Sequence, residues 1–118
     1  MTKLAQIIAR EEGFGIPGKI PTMRHNPGDL RHSPHSEHPG GPAHKDDIGT
    51  IDTNTDGWAD LERQLVIFAN EGMTLRSMIF DVYAPPSENN SQAYLDFICA
   101  GLGLGPETPV SEALKLIA

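Results

Sequence analysis

The sequence predicts a mostly helical α+β domain, and three observations predict it. Apolar residues recur at helical spacing at the start of the chain and again through its C-terminal half. Between these parts lies a stretch of about forty residues that is rich in Gly, Pro and His and has little helical period. Finally, 118 residues suffice for one domain with a modest core. The expected layout is a single domain, 1–118, with a first helix at 1–12, a loop and hairpin at 13–54, and a helical core at 55–118. A groove between the hairpin and the helical part is expected.

The first helix is predicted over 2–12, with Thr2 as its N-cap. Leu4, Ile7 and Ile8 share one face at i, i+3 and i+4, and Glu11 continues it at i+7. Glu12, four residues after Ile8, lies at the edge of the same stripe. Gly13 supplies a stop, and Phe14 is placed to fold back on the helix end. Acidic groups at a helix C-terminus oppose the helix dipole, so stability alone is a poor reason for this Glu pair.

Within the loop region, Gly28-Asp29-Leu30-Arg31 and Ile48-Gly49-Thr50-Ile51-Asp52 read as extended pieces that pair as a small antiparallel hairpin. Asn54-Thr55-Asp56-Gly57 reads as a turn and cap before a second helix at 57–70, with Trp58, Leu61, Leu65, Phe68 and Ala69 inward. Thr74 caps a third helix carrying Leu75, Met78, Ile79, Val82 and Tyr83 at i, i+3, i+4, i+7 and i+8. Ala84-Pro85-Pro86 breaks it. Asn89 or Asn90 opens a fourth, with Ala93, Tyr94, Phe97, Ile98 and Leu102 inward and glycines closing it. Thr108-Pro109 begins the last, which carries Val110, Ala113, Leu114 and Ile117.

Nine Lys and Arg against sixteen Asp and Glu leave a net charge of −7. A nucleic-acid binder carries a basic face, so that class is not expected. An anionic substrate would have to be held by local contacts. One cysteine, Cys99, leaves no partner for an intrachain disulfide. The N-terminal apolar run is too short for a signal peptide, and no stretch approaches membrane-spanning length. Synthesis in the cytoplasm, with some separate means of delivery or release, is the expectation.

Three chemistries are open to such a chain. A glycosidase needs an acid to protonate the leaving oxygen and a means of stabilising an oxocarbenium-like centre. A Glu at the end of the first helix meets the first need, and Asp29, Asp46, Asp47 and Asp52 are candidates for a second carboxylate. A single Glu also suffices if it acts first as acid and then as base. Metal binding is suggested by His25, His32, His35, His38, His44, Asp46 and Asp47. Pro34 and Pro39 argue against a helix there, and no His-Glu-x-x-His pattern accompanies them, so the segment is read as a polar loop, with no metal and no cofactor expected. No Ser sits in Gly-x-Ser-x-Gly, and Cys99 lies among apolar residues, so covalent catalysis is not expected. Asn26-Pro27-Gly28 is a tight turn whose Asn side chain either bonds a sugar acetamido group or braces the turn. Tyr83 and Asn89 flank a stiff Pro-Pro corner and are placed to face a groove.

Ile8-Ala9-Arg10-Glu11-Glu12-Gly13-Phe14 resembles the end of the first helix in the lysozyme-like superfamily. Asn26-Pro27-Gly28-Asp29-Leu30-Arg31, Ile51-Asp52-Thr53, Asp56-Gly57-Trp58-Ala59, Tyr83-Ala84-Pro85-Pro86-Ser87-Glu88-Asn89 and Tyr94 follow in an order similar to that of phage and prophage proteins described as virion structural or lytic proteins with a lysozyme-like fold. The resemblance implies a lysozyme-like domain acting on the glycan strands of peptidoglycan, at the bond between N-acetylmuramic acid and N-acetylglucosamine. It implies Glu12 as the catalytic acid, although the helix wheel puts Glu11 nearer the apolar centre. It implies Asn26, Arg31, Asp52, Tyr83 and Asn89 as substrate-binding residues. The His-rich insertion at 31–47 departs from commoner members. So does the lack of spaced Asp and Thr partners after the Glu, which favours a single-Glu lytic transglycosylase over a muramidase. An endopeptidase and a catalytically inactive virion or glycan-binding module remain as alternatives. Action on the wall follows delivery or lysis, or takes place as part of a virion, with a virion or release partner.

Overall fold

A computed structural model describes residues 1–36, 48–84 and 90–118. Among these the secondary structure is helical, in the order α1 (Lys3–Glu12), α2 (Ile20–Met23), α3 (Asn54–Asn70), α4 (Leu75–Ser77, continuing as a π-helical segment, Met78–Tyr83), α5 (Ser91–Leu102) and α6 (Val110–Ala113). The mostly helical class expected from the periodicity is therefore observed. The expected hairpin is not. Gly49 N–H does donate to Leu30 O at 3.0 Å, but the segments form no ladder, and the described β pairing is confined to isolated bridges. Side-chain bonds take up the carbonyls that a ladder would have used, as described below.

The chain divides into two compact units, Met1–Ile7 with Leu65–Ala118, and Ile8–Gln64. The first, the helical unit, has an apolar core that includes Leu4, Leu65, Leu75, Met78, Ile79, Leu95, Ile98 and Val110, all fully buried or nearly so. The chain ends are tied together: Thr2 bridges Ile117, and Lys3 N–H donates to Leu116 O at 2.9 Å. Thr74 and Ser77 form a reciprocal capping box at the start of α4. The next N–H groups there have no intrahelical acceptor. Leu75 N–H donates instead to Thr108 O (3.0 Å) and Arg76 N–H to Pro106 O (2.9 Å). Arg76 also pairs with Glu107 and lies over the Phe80 ring.

Three expectations change in this unit. α4 widens into a π-helix, with Ala84 N–H reaching back five residues to Ile79 O at 2.8 Å. The extra residue per bond shifts the face, and Val82, expected inward, is 48% exposed. In α5 the buried apolar residues are Tyr94, Leu95, Ile98 and Leu102, while Ala93 and Phe97 lie outward. α6 ends at Ala113, one turn after it begins, leaving Ile117 beyond the helix and 70% exposed. Asn90 caps α5 by accepting from Ala93 N–H, and Gly103 at φ +70° closes it.

The second unit, the loop unit, contains the end of α1, α2 and the first part of α3. Its apolar core is small, with Ile8, Ala9, Ile51 and Leu61. α2 was not legible as a helix: it is one turn, with buried Pro21 in its first positions. The start of α3 also differs from expectation. Thr53 Oγ1 accepts from Asp56 N–H (3.1 Å) and Thr53 O from Gly57 N–H (3.0 Å). Thr53 is thus the capping residue, and Asn54-Thr55-Asp56 is the first helical turn rather than a loop before it.

Candidate active site

α1 ends by a mechanism visible in its hydrogen bonds. Gly13 has φ +91°. Its N–H donates to Arg10 O (3.1 Å), and Phe14 N–H donates to Ala9 O (2.9 Å). This is the Schellman pattern, in which a left-handed residue lets the chain turn back and satisfy the last helical carbonyls. Phe14 packs edge-on against Trp58 of α3, with ring centroids 5.3 Å apart at 75°. The carboxylate that this geometry places just before the turn is Glu12. It is half-buried, whereas Glu11 is exposed. Exposed or not, Glu11 has its pKa pushed above the usual value of 4.5 by desolvation.

The chain beyond Gly13 is held by side chains. Thr22 Oγ1 accepts from Gly15 N–H at 2.9 Å. Asn26 is fully buried. Its amide nitrogen donates to Leu30 O (2.8 Å) and Gly49 O (2.9 Å), and its oxygen accepts from Leu30 N–H (3.0 Å). Of its two readings from sequence, the structure displays the brace: both amide hydrogens are spent inside the loop, and none is presented to a ligand. Arg24 donates to Ile48 O at 2.8 Å, and Ile51 N–H donates to Arg24 O at 2.9 Å. His25 Nδ1 donates to Asp52 O at 2.8 Å, the carbonyl being able only to accept. Gly57 of α3 lies so close to this loop that a Cβ there would stand 2.1 Å from His25 O.

Of the residues expected to bind substrate, Asn26, Arg31 and Asp52 lie in the loop unit with Glu12, and both Arg31 and Asp52 are exposed. Tyr83 belongs to the helical unit, where it is half-buried and packs against Tyr94 with centroids 6.1 Å apart. Asn89 lies outside the described residues, as do Asp46, Asp47, His38 and His44. Among the described residues no three His, Cys, Asp or Glu side chains are grouped to hold a metal ion. None of the described helices is long and apolar enough to cross a membrane. Cys99 is half-buried in α5, with its thiol pKa raised by burial, further raised by Asp96 and opposed by Arg76.

One polar cluster was not singled out as a unit in the sequence. Asp60 of α3 is 2% exposed and accepts two bonds from a single residue, His35. The His35 backbone N–H donates to Oδ2 at 3.0 Å and ring Nδ1 donates to Oδ1 at 2.6 Å. The other ring nitrogen, Nε2, stands 3.8 Å from Asp56 Oδ1. Burial is the largest single influence on the Asp60 pKa and raises it. The combined effect of the Ser33 hydroxyl and of the ring, backbone and charge of His35 outweighs burial and holds it below 3.8. The Ser33 hydroxyl is buried beside Asp60 at a geometry short of a well-formed hydrogen bond, so the His35 bonds are the better-defined part of that effect. The signal available in sequence was Asp56 and Asp60 at i, i+4, on one face of a helix.

Comparison of the chain with protein-family models, with curated proteins and with solved structures gives no match.

Proposed function

We propose that this chain is a peptidoglycan-cleaving enzyme of lysozyme-like type, with Glu12 as its acid and base. The observation that carries the reading is the placement of Glu12. It is a half-buried carboxylate on the last turn of α1, held in register by the Gly13 turn and by Phe14 packed on Trp58. A rigid element holds a reacting group more closely than a loop does, and glycosidic cleavage depends on an acid fixed beside the leaving oxygen. In this reading Glu12 protonates the oxygen leaving the N-acetylmuramic acid carbon. The resulting carboxylate then removes a proton from the muramyl 6-hydroxyl, which closes an anhydro ring, or from a water, which leaves a free reducing end. Exposed Arg31 and Asp52 are the remaining loop-unit candidates for contacts to the glycan.

The test is mass spectrometry of purified sacculi digested by the wild type and by Glu12→Gln. Soluble muropeptides from the wild type, reduced by about a hundredfold or more in the variant with the fold retained, are expected for loss of a general acid–base group. Equal digestion by the variant would remove Glu12 from the role. Anhydro ends identify a transglycosylase, free reducing ends a muramidase and cleaved cross-links an endopeptidase.

One observation favours a second reading, that of a catalytically silent virion module: Asn26, expected to hold substrate, spends its amide hydrogens on its own loop. Binding to sacculi without any soluble product would select that reading.

A further inference from the structure

We propose that His35 and Asp60 form a pH-sensitive latch that fastens the turn around residues 33–36 to α3. The latch goes beyond the reading of Glu12 and does not depend on it. The geometry is two-point: one buried carboxylate takes both the backbone N–H and the ring Nδ1–H of His35. Beside these bonds the turn also carries the Ser36–Ile51 bridge and the Ser36 N–H to Ser33 O bond (3.1 Å). The two-point contact thus includes a ring that changes charge near neutral pH.

The charges acting on the ring come from α3. Asp60 raises the His35 pKa above 6.5 through its hydrogen bond and its charge; desolvation opposes this, and Asp56 adds a smaller rise. The stretch bridged to Ser36 carries Asp52, and His25 is bonded to that residue's carbonyl. The sign follows from linkage. A His whose folded pKa is raised contributes stability that is fully present below 6.5 and is lost as pH rises through the folded value. An Asp whose folded pKa is lowered contributes stability present above 3.8 and lost as pH falls through its folded value. The latch is thus tightest in mildly acidic solution, where Asp60 is ionised and His35 is protonated. Once pH rises above the folded His35 value, it keeps the Nδ1–H bond to the Asp60 carboxylate but loses the positive charge of the ring.

The test uses the whole chain and two readouts, the pH titration of the His35 ring by NMR and the hydrogen-exchange protection factor of the His35 amide. The wild-type ring should titrate above 6.5. Its amide should be severalfold better protected at about pH 5.5 than at about pH 8. Asp60→Asn should return the ring toward its ordinary value and abolish the pH dependence of protection, while Asp56→Asn should produce a smaller downward shift. If Asp60→Asn fails to fold, His35→Gln serves: it should lower Tm more at the acidic pH than at the alkaline one. Equal protection at both pH values in the wild type, or an Asp60→Asn chain that retains the difference, would overturn the latch. So would an equal Tm loss at both pH values in His35→Gln. Since no readout depends on sacculus digestion, failure of the latch and failure of the Glu12 assignment are separately visible.

Discussion

Each of the two units is stabilised internally by a different chemistry. In the helical unit, large aliphatic side chains such as Leu4, Leu75, Ile79, Leu95 and Ile98 fill a continuous interior, and hydrogen bonding outside the helices mostly completes helix ends. In the loop unit few large apolar side chains are buried. The chain path there is set by polar groups: the Asn26 amide, the Arg24 guanidinium, the Thr22 hydroxyl and the His35–Asp60 pair. Apolar packing is non-directional and tolerates small adjustment, whereas a buried polar network is stable only if each member is satisfied. Glu12 and most of the other candidate site residues described lie in the unit of the second kind. A unit held by directional bonds fixes loop atoms in place, and it exposes that placement to pH and to single polar substitutions.

The largest expected effect tests how tightly the loop is seated on α3. Gly57→Ala forces a Cβ to within 2.1 Å of a backbone oxygen and 2.8 Å of Pro27, and neither can rotate away. A loss of about 4 kcal/mol or more is expected in urea denaturation. A loss under about 1 kcal/mol would show that the loop yields there. Next, Ile98→Ala opens a cavity in the helical unit and should cost about 3 kcal/mol, with lowered amide protection in that unit. Asn26→Ala leaves Leu30 O, Gly49 O and Leu30 N–H without their side-chain partner and should cost about 2 kcal/mol, with protection lost first around Leu30 and Gly49. If both variants lost protection uniformly along the chain, the contrast between the units would collapse. Gly101→Ala gives the smallest effect. Its Cβ would stand 2.7 Å from Ile7 Cδ1, the far end of a side chain that can rotate. The gain in helix propensity offsets that crowding, so a change within about 1 kcal/mol is expected by the same denaturation measurement. Gly57 and Gly101 together separate a backbone obstacle from a side-chain one.

The helix ends were the most legible feature. Gly13 and Phe14 predicted the end of α1 and Thr74 the cap of α4, and of the Asn89 or Asn90 and the three glycines expected to bound α5, Asn90 and Gly103 do so, because each acts through neighbours within a few residues. Asp56 and Asp60 were visible as residues, but their partner was not: His35 is 25 positions from Asp60, and nothing in local pattern selects it from five histidines. The placement of Tyr83 was likewise unreadable, because it ends a π-helical segment, whose residues fall on other faces than α-helical spacing assigns.

By itself, the sequence determined the helical class and several helix ends, the Gly13 turn after Glu12 among them. These depend on periodicity and on short-range hydrogen bonding. The tertiary structure alone decided three matters. The two extended pieces are joined through the Asn26 side chain rather than a strand ladder. Gly57 is required where α3 meets the His25 carbonyl. A buried aspartate fastens His35. Each joins residues more than twenty positions apart; the first and the last form because a buried polar group must find a partner, whichever the folded chain brings within reach, and the second because two backbones meet with no room for a Cβ.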